Sequence, residues 1–411
     1  MLIAWGISQY LGPGLTDISG TIIGADFLCF FTGGNFFLNG RMDQLYDFRA
    51  HLDFQKSVVA PAQLRSLHYY SYPPFTAVFY SLFSMTNYLT DLIIWWTFGL
   101  LLLFLSVIIL RLELKRLASL SVPRLFLTCF LFFPTIYWFI SGHNSALSLF
   151  LFTVFYVMLR RRYDTVAGIS LGLLLYKPQL AIALGFMLLL KRRWRALIGS
   201  VCTALIWIFI GFFTSPLAMK RYVEVMPTLL DTFRLNPNFN IGITYPTWGI
   251  YSFFGFSSLL LDNIWRTGAN LLFIFLSVFG LVSIAKIWKF TDWEPGTRKW
   301  DMTMSGTFAL GLLIGPQLFI YDLMILLLPL AIVWSYYVGA SNERALDGGT
   351  LLFWSALLYI ACFVGNYVAL AQLKFCTLVG LPPFALQFST LVIFTWACLV
   401  IHDGRKSTIQ E

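Results

Sequence analysis

The sequence predicts an all-α polytopic membrane protein, one domain over residues 1–411 built from roughly ten to twelve transmembrane or re-entrant helices. Three observations carry this. The chain is 58% hydrophobic and 11% charged, where a soluble domain carries about 25% charged residues, and no water-soluble fold of this length hides that much apolar surface. Windows at 92–110, 196–214, 268–287 and 351–370 hold almost no charge and are long enough to cross a hydrocarbon core of about 30 Å. The basic residues fall in five short clusters between apolar runs, at 111–124, 160–162, 191–195, 286–299 and 405–406. In hydrocarbon every backbone N–H and C=O needs an internal partner, and these runs lack the polar–apolar alternation of barrel strands, so helices are the remaining solution.

The formal charge of +9 would suit a nucleic-acid binder if it formed a patch. Its distribution instead follows the positive-inside pattern, which places all five clusters in the cytoplasm, the bilayer around the chain, and nucleic acid outside its list of partners. Two long segments between the clusters, 17–72 and 215–265, are nearly charge-balanced and fit the opposite side. The first opens with Gly24-Ala25-Asp26-Phe27, continues as an expected interfacial helix over 27–38, and closes with His68-Tyr69-Tyr70-Ser71-Tyr72-Pro73-Pro74. Aromatic residues at that density suit the headgroup level. Residues 1–11 are apolar but too short to span, and they lack the basic region and cleavage site of a signal peptide; the expectation is a truncated first helix or a start further upstream.

The connection between the clusters at 160–162 and 191–195 is too short for two full crossings. With both clusters on one side the chain must enter and return. Residues 165–176 and 179–190 then form two arms of about 18 Å each, with Lys177-Pro178 at the turn. The preceding pair behaves alike: 125–140 rises, Ser141-Gly142-His143-Asn144 turns, and 145–159 returns. Residues 74–88 and 92–110, taken as two full crossings, would put Arg111 outside, so 74–88 is expected to be a partial or steeply tilted helix.

Ionisable groups inside apolar segments are costly and mark function by default. Here they are Asp26, His143 beside Asn144, Lys177 beside Gln179, and Tyr321-Asp322. On this topology all of them fall toward the non-cytoplasmic side. Each has a structural alternative. Asp26 could cap the following helix, His143 and Asn144 could satisfy a tight turn, Lys177 could snorkel to headgroups, Asp322 could pair with Lys177, and His68 with the tyrosines at 69, 70 and 72 could form an interfacial belt. No metal-ligand spacing, glycine-rich phosphate loop or Ser–His–Asp pattern is present, and the six cysteines show no paired spacing, so neither metal nor cofactor is expected. A carboxylate at a membrane surface, deep cations and aromatic walls suit transfer of a group from a lipid-borne phosphate donor. The carboxylate takes a hydroxyl proton and a cation steadies the departing phosphate.

At these residues the sequence resembles glycosyltransferase family 87, within the GT-C class of polyprenol-phosphate-sugar-dependent transferases. The likeness runs over about 24–330 and rests on an ordered set of short motifs. These begin with Gly24-Ala25-Asp26-Phe27, Leu38-Asn39-Gly40, Leu45-Tyr46-Asp47 and Tyr72-Pro73-Pro74. They continue with Ser141-Gly142-His143-Asn144, Ala167-Gly168, Lys177-Pro178-Gln179, Arg192-Arg193-Trp194-Arg195 and Tyr321-Asp322.

The resemblance implies a GT-C-like bundle in the inner membrane with its site facing the periplasm or exterior. It also implies transfer of a hexose, usually mannose, from polyprenyl phosphate to a glycan or glycolipid acceptor with inversion. By position Asp26 is the implied general base. Lys177 and Arg65 are the expected phosphate partners, and His143, Asn144, Gln179, Tyr72, His68, Tyr321 and Asp322 the expected sugar or acceptor contacts. Two features depart from the family pattern: His143 stands where Gln is common, and residues 1–11 stand where a complete helix precedes the aspartate. A lipid-linked saccharide transporter or flippase, and a surface-polysaccharide ligase or polymerase, are the alternative readings.

Overall fold

The computed structural model describes residues 2–64, 66–235, 247–337 and 349–406. Among the described residues there is no β-strand; the only β-pairing is two isolated bridges, Thr16 to Ile22 and Ile250 to Phe319. The chain starts with α1 (Leu2–Leu11), α2 (Ala25–Leu38) and α3 (Phe48–Val59), the last capped by Asp47, whose carboxylate accepts from the Arg49 and Ala50 N–H groups. The next helix, α4 (Phe75–Ser81), is only seven residues long. The crossing is made by α5 (Tyr88–Glu113), 26 residues capped by Asn87. The short α4 is the partial helix that the charge rule required, and Arg111 therefore reaches the same end as the other basic clusters.

The expected continuous rise over 125–140 is instead broken. Helix α6 (Val122–Phe130) and α7 (Phe133–Ser141) meet at a bend of 73°. The cause lies in Pro134, which lacks an N–H and whose ring clashes with the carbonyl four residues earlier, so a helix cannot run through it from the preceding turn. The return arm is α8 (Ser145–Arg160). The next hairpin is α9 (Asp164–Leu173), a 3₁₀ turn (Leu174–Tyr176), and α10 (Pro178–Leu190), with Lys177 at the tip as expected. Beyond it run α11 (Trp194–Thr214), α12 (Pro216–Asp231), α13 (Phe253–Leu261), α14 (Arg266–Lys289) and α15 (Arg298–Ile314). A 3₁₀ helix (Ile320–Leu326) leads into α16 (Leu327–Ser335), and α17 (Gly349–Leu378) and α18 (Phe388–Lys406) complete the order.

Four helices, α5, α11, α14 and α17, are long and apolar enough to cross a membrane, or five spans if the bent α6–α7 pair is counted as one. Of the roughly ten to twelve crossings or re-entrant arms expected, four or five are full-length spans among the described residues. Shorter apolar helices of 10–17 residues include α2, α8, α9 with its 3₁₀ turn and α10. Helix α11 presents Ile198, Leu205, Ile206, Phe209 and Phe213 outward, the last 82% exposed. A stripe of that size is stable against lipid and not against water. Helix α15 is the opposite case, buried on every side from Trp300 to Ile314 and apolar or hydroxylated there save for Asp301.

Close approach between helices is set by small residues. A Cβ on Gly168 of α9 would lie 2.0 Å from the Ala196 carbonyl oxygen of α11, and one on Gly199 would lie 2.7 Å from that of Thr165. In lipid, where burial gives helices no hydrophobic drive to associate, such backbone contact supplies the packing.

The five basic clusters converge at one end. Arg160 of α8 pairs with Glu113 of α5 at 3.2 Å and with the fully buried Asp301 of α15 at 3.4 Å. Arg193 bonds Asp164 and lies 5.1 Å from the Trp293 ring. Arg298 pairs with Asp403 at 2.8 Å, joining the fourth cluster to the last. Helices α8, α10 and α15 each have one terminus here and the other at the tips Ser145, Pro178 and Ile314.

Candidate functional site

The tips away from the basic end enclose a cavity of about 470 Å³. Asp26, Tyr72, His143, Lys177, Gln179, His68, Tyr321 and Asp322 all line it. Residues separated by nearly 300 positions are brought together there by the ends of α2, α7, α8 and α10 and by the 3₁₀ helix before α16.

Asp26 is the second residue of α2. The cap position is Gly24, in left-handed conformation at φ 65°, with no side-chain cap bond. The capping alternative for Asp26 is thereby removed. Its half-buried carboxylate is turned to the cavity beside the Ser141 hydroxyl and feels both the Lys177 ammonium and the Asp322 carboxylate. Tyr88 fixes the start of the helix by donating to the Ile23 carbonyl at 2.7 Å and to that of Gly24 at 2.9 Å. The helix itself, expected at the membrane interface, is enclosed by protein, with nine residues buried between Phe27 and Phe36.

The turn that carries His143 is held by two indoles. Trp95 of α5 donates to the Gly142 carbonyl at 2.8 Å and Trp138 donates to that of His143 at 2.6 Å. Gly142 sits at φ 70°, where a Cβ would press on Phe27 Cβ at 2.9 Å and on the Gly24 backbone at 3.3 Å. The two glycine-bearing motifs therefore touch directly. His143 does more than fill this turn. Its ring stacks on Tyr321 with centroids 3.5 Å apart, Nε2 lies 3.0 Å from the Tyr72 hydroxyl, and Nδ1 lies 3.0 Å from Ser145 Oγ. Asn144 takes another role than the substrate contact expected of it. It is absent from the cavity wall, 1% exposed, and donates to the Tyr80 hydroxyl at 2.7 Å, bracing a ring that stacks on Phe30.

Lys177 reaches Asp322 at 2.5 Å, so the pair foreseen as one alternative is present, and its Nζ lies 5.7 Å from the Tyr321 ring. It does not snorkel; it is 5% exposed. Nor do the tyrosines form a surface belt. Tyr69 donates to the Tyr46 carbonyl at 3.0 Å, Tyr70 bonds Thr76, and the Tyr72 carbonyl accepts from Tyr46 at 2.5 Å, all three rings being buried. The His68 backbone is clasped by Gln55 of α3, whose amide nitrogen donates to the His68 carbonyl at 2.6 Å and whose amide oxygen accepts from its N–H at 3.0 Å. Arg65 lies outside the described residues.

A match to the model of glycosyltransferase family 87 covers residues 70–316, more than half of the chain. The chain belongs to glycosyltransferase family 87. It is a multi-pass membrane glycosyltransferase. The match includes Tyr72, His143, Lys177 and Gln179; Asp26 and His68 precede it, and Tyr321 and Asp322 follow it. Comparison with curated proteins and with solved structures gives no match.

Several residues of this family 87 site were not foreseen from the sequence. Ser145 donates to Asp322 Oδ1 at 2.8 Å and joins it to His143. Tyr222 and Leu230 of α12, in the second outer segment, close one wall. Trp95 and Trp138 resemble any other apolar residue of a membrane span. No group of three or more His, Cys, Asp or Glu that could hold a metal occurs among the described residues.

Proposed function

We propose that this family 87 enzyme transfers a hexose, with mannose the expected one, from a polyprenyl-phosphate donor to a glycan or glycolipid acceptor, inverting the anomeric carbon. The observation that carries the reading is one cavity holding an uncapped carboxylate, Asp26, and a buried ammonium, Lys177, between aromatic walls. Asp26 takes the proton of the attacking acceptor hydroxyl as the glycosidic bond forms. The bond from the anomeric carbon to the phosphate oxygen breaks on the opposite face, and its electron pair leaves with the phosphate. Lys177 offsets that charge where water is scarce and an ion counts for most. Aromatic faces suit the apolar face of a sugar ring, and Gln179 and His68 supply polar contacts.

The site's position supports a donor embedded in lipid. It lies about one α8 length, roughly 24 Å, from the basic end. By the positive-inside rule that end is cytoplasmic, which puts the cavity toward the periplasmic or external leaflet of the inner membrane.

The test is Asp26→Asn, nearly isosteric but unable to accept the proton. The expected outcome is loss of about 10²- to 10⁴-fold in transfer rate, with binding of the polyprenyl-phosphate-hexose donor and membrane insertion retained. An Asn variant that is stable and fully active would remove Asp26 as base.

A further inference from the structure

We propose that Asp322 is the resting counter-ion of Lys177, clamped by a Tyr72–His143–Ser145 chain, so that phosphate binds by displacing a carboxylate and the lipid-phosphate product is released faster for it. This deepens the site reading above and rests on Lys177 being the phosphate partner.

The hydrogen positions follow from the partners. An ionised carboxylate only accepts, so the one O–H of Ser145 is committed to Asp322 Oδ1 at 2.8 Å. Ser145 Oγ then receives the bond from His143 Nδ1–H at 3.0 Å. In the neutral ring Nε2 is the acceptor, so the Tyr72 hydroxyl donates to it, also at 3.0 Å. Every donor along the chain thus points toward Asp322, and each bond polarises the next. Tyr72, His143, Lys177 and Asp322 are each at most 9% exposed, and Ser145 is fully buried.

Lys177 and Asp322 both face the cavity, so an arriving phosphate meets an ammonium already paired with a carboxylate at 2.5 Å. When Lys177 turns to the phosphate, Asp322 keeps the Ser145 O–H and remains hydrogen-bonded. A buried charge left without any partner would make the exchange prohibitive. Net phosphate affinity is therefore the difference between two anion attractions. That difference matters most for the product. The donor is a phosphodiester with one negative charge, whereas the released phosphomonoester carries between one and two near neutral pH. A free buried ammonium would hold the product more tightly than the donor, and a competing carboxylate weakens both holds, so that the product leaves sooner. Ser145 and His143 act through Asp322 and are positioning residues.

The experiment measures binding of a short-chain polyprenyl monophosphate to the purified full chain, together with kcat and KM for transfer. Asp322→Asn is expected to lower the product Kd by at least roughly tenfold, with kcat and KM falling together as release becomes limiting. Ser145→Ala, which leaves both charges but strips Asp322 of the partner it keeps when Lys177 turns away, is expected to raise the product Kd by roughly threefold, and it carries the test if Asp322→Asn does not fold. Adding Lys177→Met to Asp322→Asn should erase the gain. Unchanged or weaker product binding in folded Asp322→Asn, or unchanged or tighter product binding in Ser145→Ala, overturns the clamp; if Lys177→Met still weakens binding in the parent chain, the phosphate role of Lys177 survives that result. If Lys177→Met leaves parent binding unchanged, the site reading and the clamp fall together.

Discussion

At the residue scale, charge in an apolar sequence led to one place: Asp26, His143, Lys177 and Asp322 stand out because each is costly to bury, and all four line one cavity. Their hydrogen-bond partners were hidden, because a serine or an indole carries no penalty large enough to announce itself. His51 of α3 is a further residue whose chemistry only the fold discloses. Its Nε2 bonds the Leu45 carbonyl at 2.7 Å, while its buried Nδ1 has no partner. Protonation would place a charge on Nδ1 with nothing to receive it, and burial lowers the His51 pKa from its ordinary 6.5 to about 4. The neutral form is the folded one. Its contribution is thus present in full above pH 6.5 and is lost as the pH falls from there toward about 4. Thermal unfolding of the parent chain should lose stability across that window by up to about 3 kcal/mol. His51→Gln, which keeps a donor for the Leu45 carbonyl, should lose distinctly less. An identical pH dependence in the two proteins would exclude His51 as the source.

At the element scale, the hairpin tipped by Lys177 followed from arithmetic on the distance between basic clusters, and the structure has it. The single rise over 125–140 did not survive, although Pro134 was in view, because an apolar run alone does not say whether a proline kinks a helix or divides it. The faces of the helices were also illegible. In a soluble helix the polar stripe marks the outside, whereas here α15 is apolar because protein surrounds it and α11 because lipid does. Glycines at contacts between elements give the sharpest test of packing. Gly142→Ala meets both a left-handed backbone and the Phe27 Cβ at 2.9 Å, so a cost of about 1–3 kcal/mol is expected. Transfer should fall with it, since the same turn holds His143. Gly185 of α10 has open space around it, and Gly185→Ala should be neutral or stabilising by roughly 0.5–1 kcal/mol. Equal effects of the two substitutions on thermal stability and transfer rate would contradict this account of the turn.

At the scale of the whole molecule, a charge pattern read along the chain became a geometric fact: clusters from 111–124 to 405–406 are joined by the pairs Arg160–Glu113, Arg193–Asp164 and Arg298–Asp403 at one end, and the cavity lies at the other. Fold class and polarity were legible because hydrophobic length and basic clustering are properties of segments. The wall supplied by α12 was not, because it depends on which distant segment folds over the tips. Single cysteines introduced into a cysteine-free chain should label from the cytoplasmic side at 161 and 193 and from the opposite side at 44; external labelling of 193 would invert the orientation argued above. The donor class is the most direct test of the central claim, that this membrane transferase draws its sugar from lipid. Purified protein should consume polyprenyl-phosphate-linked mannose in the presence of acceptor and leave nucleotide-linked mannose untouched. Equal turnover of the two donors would contradict the account.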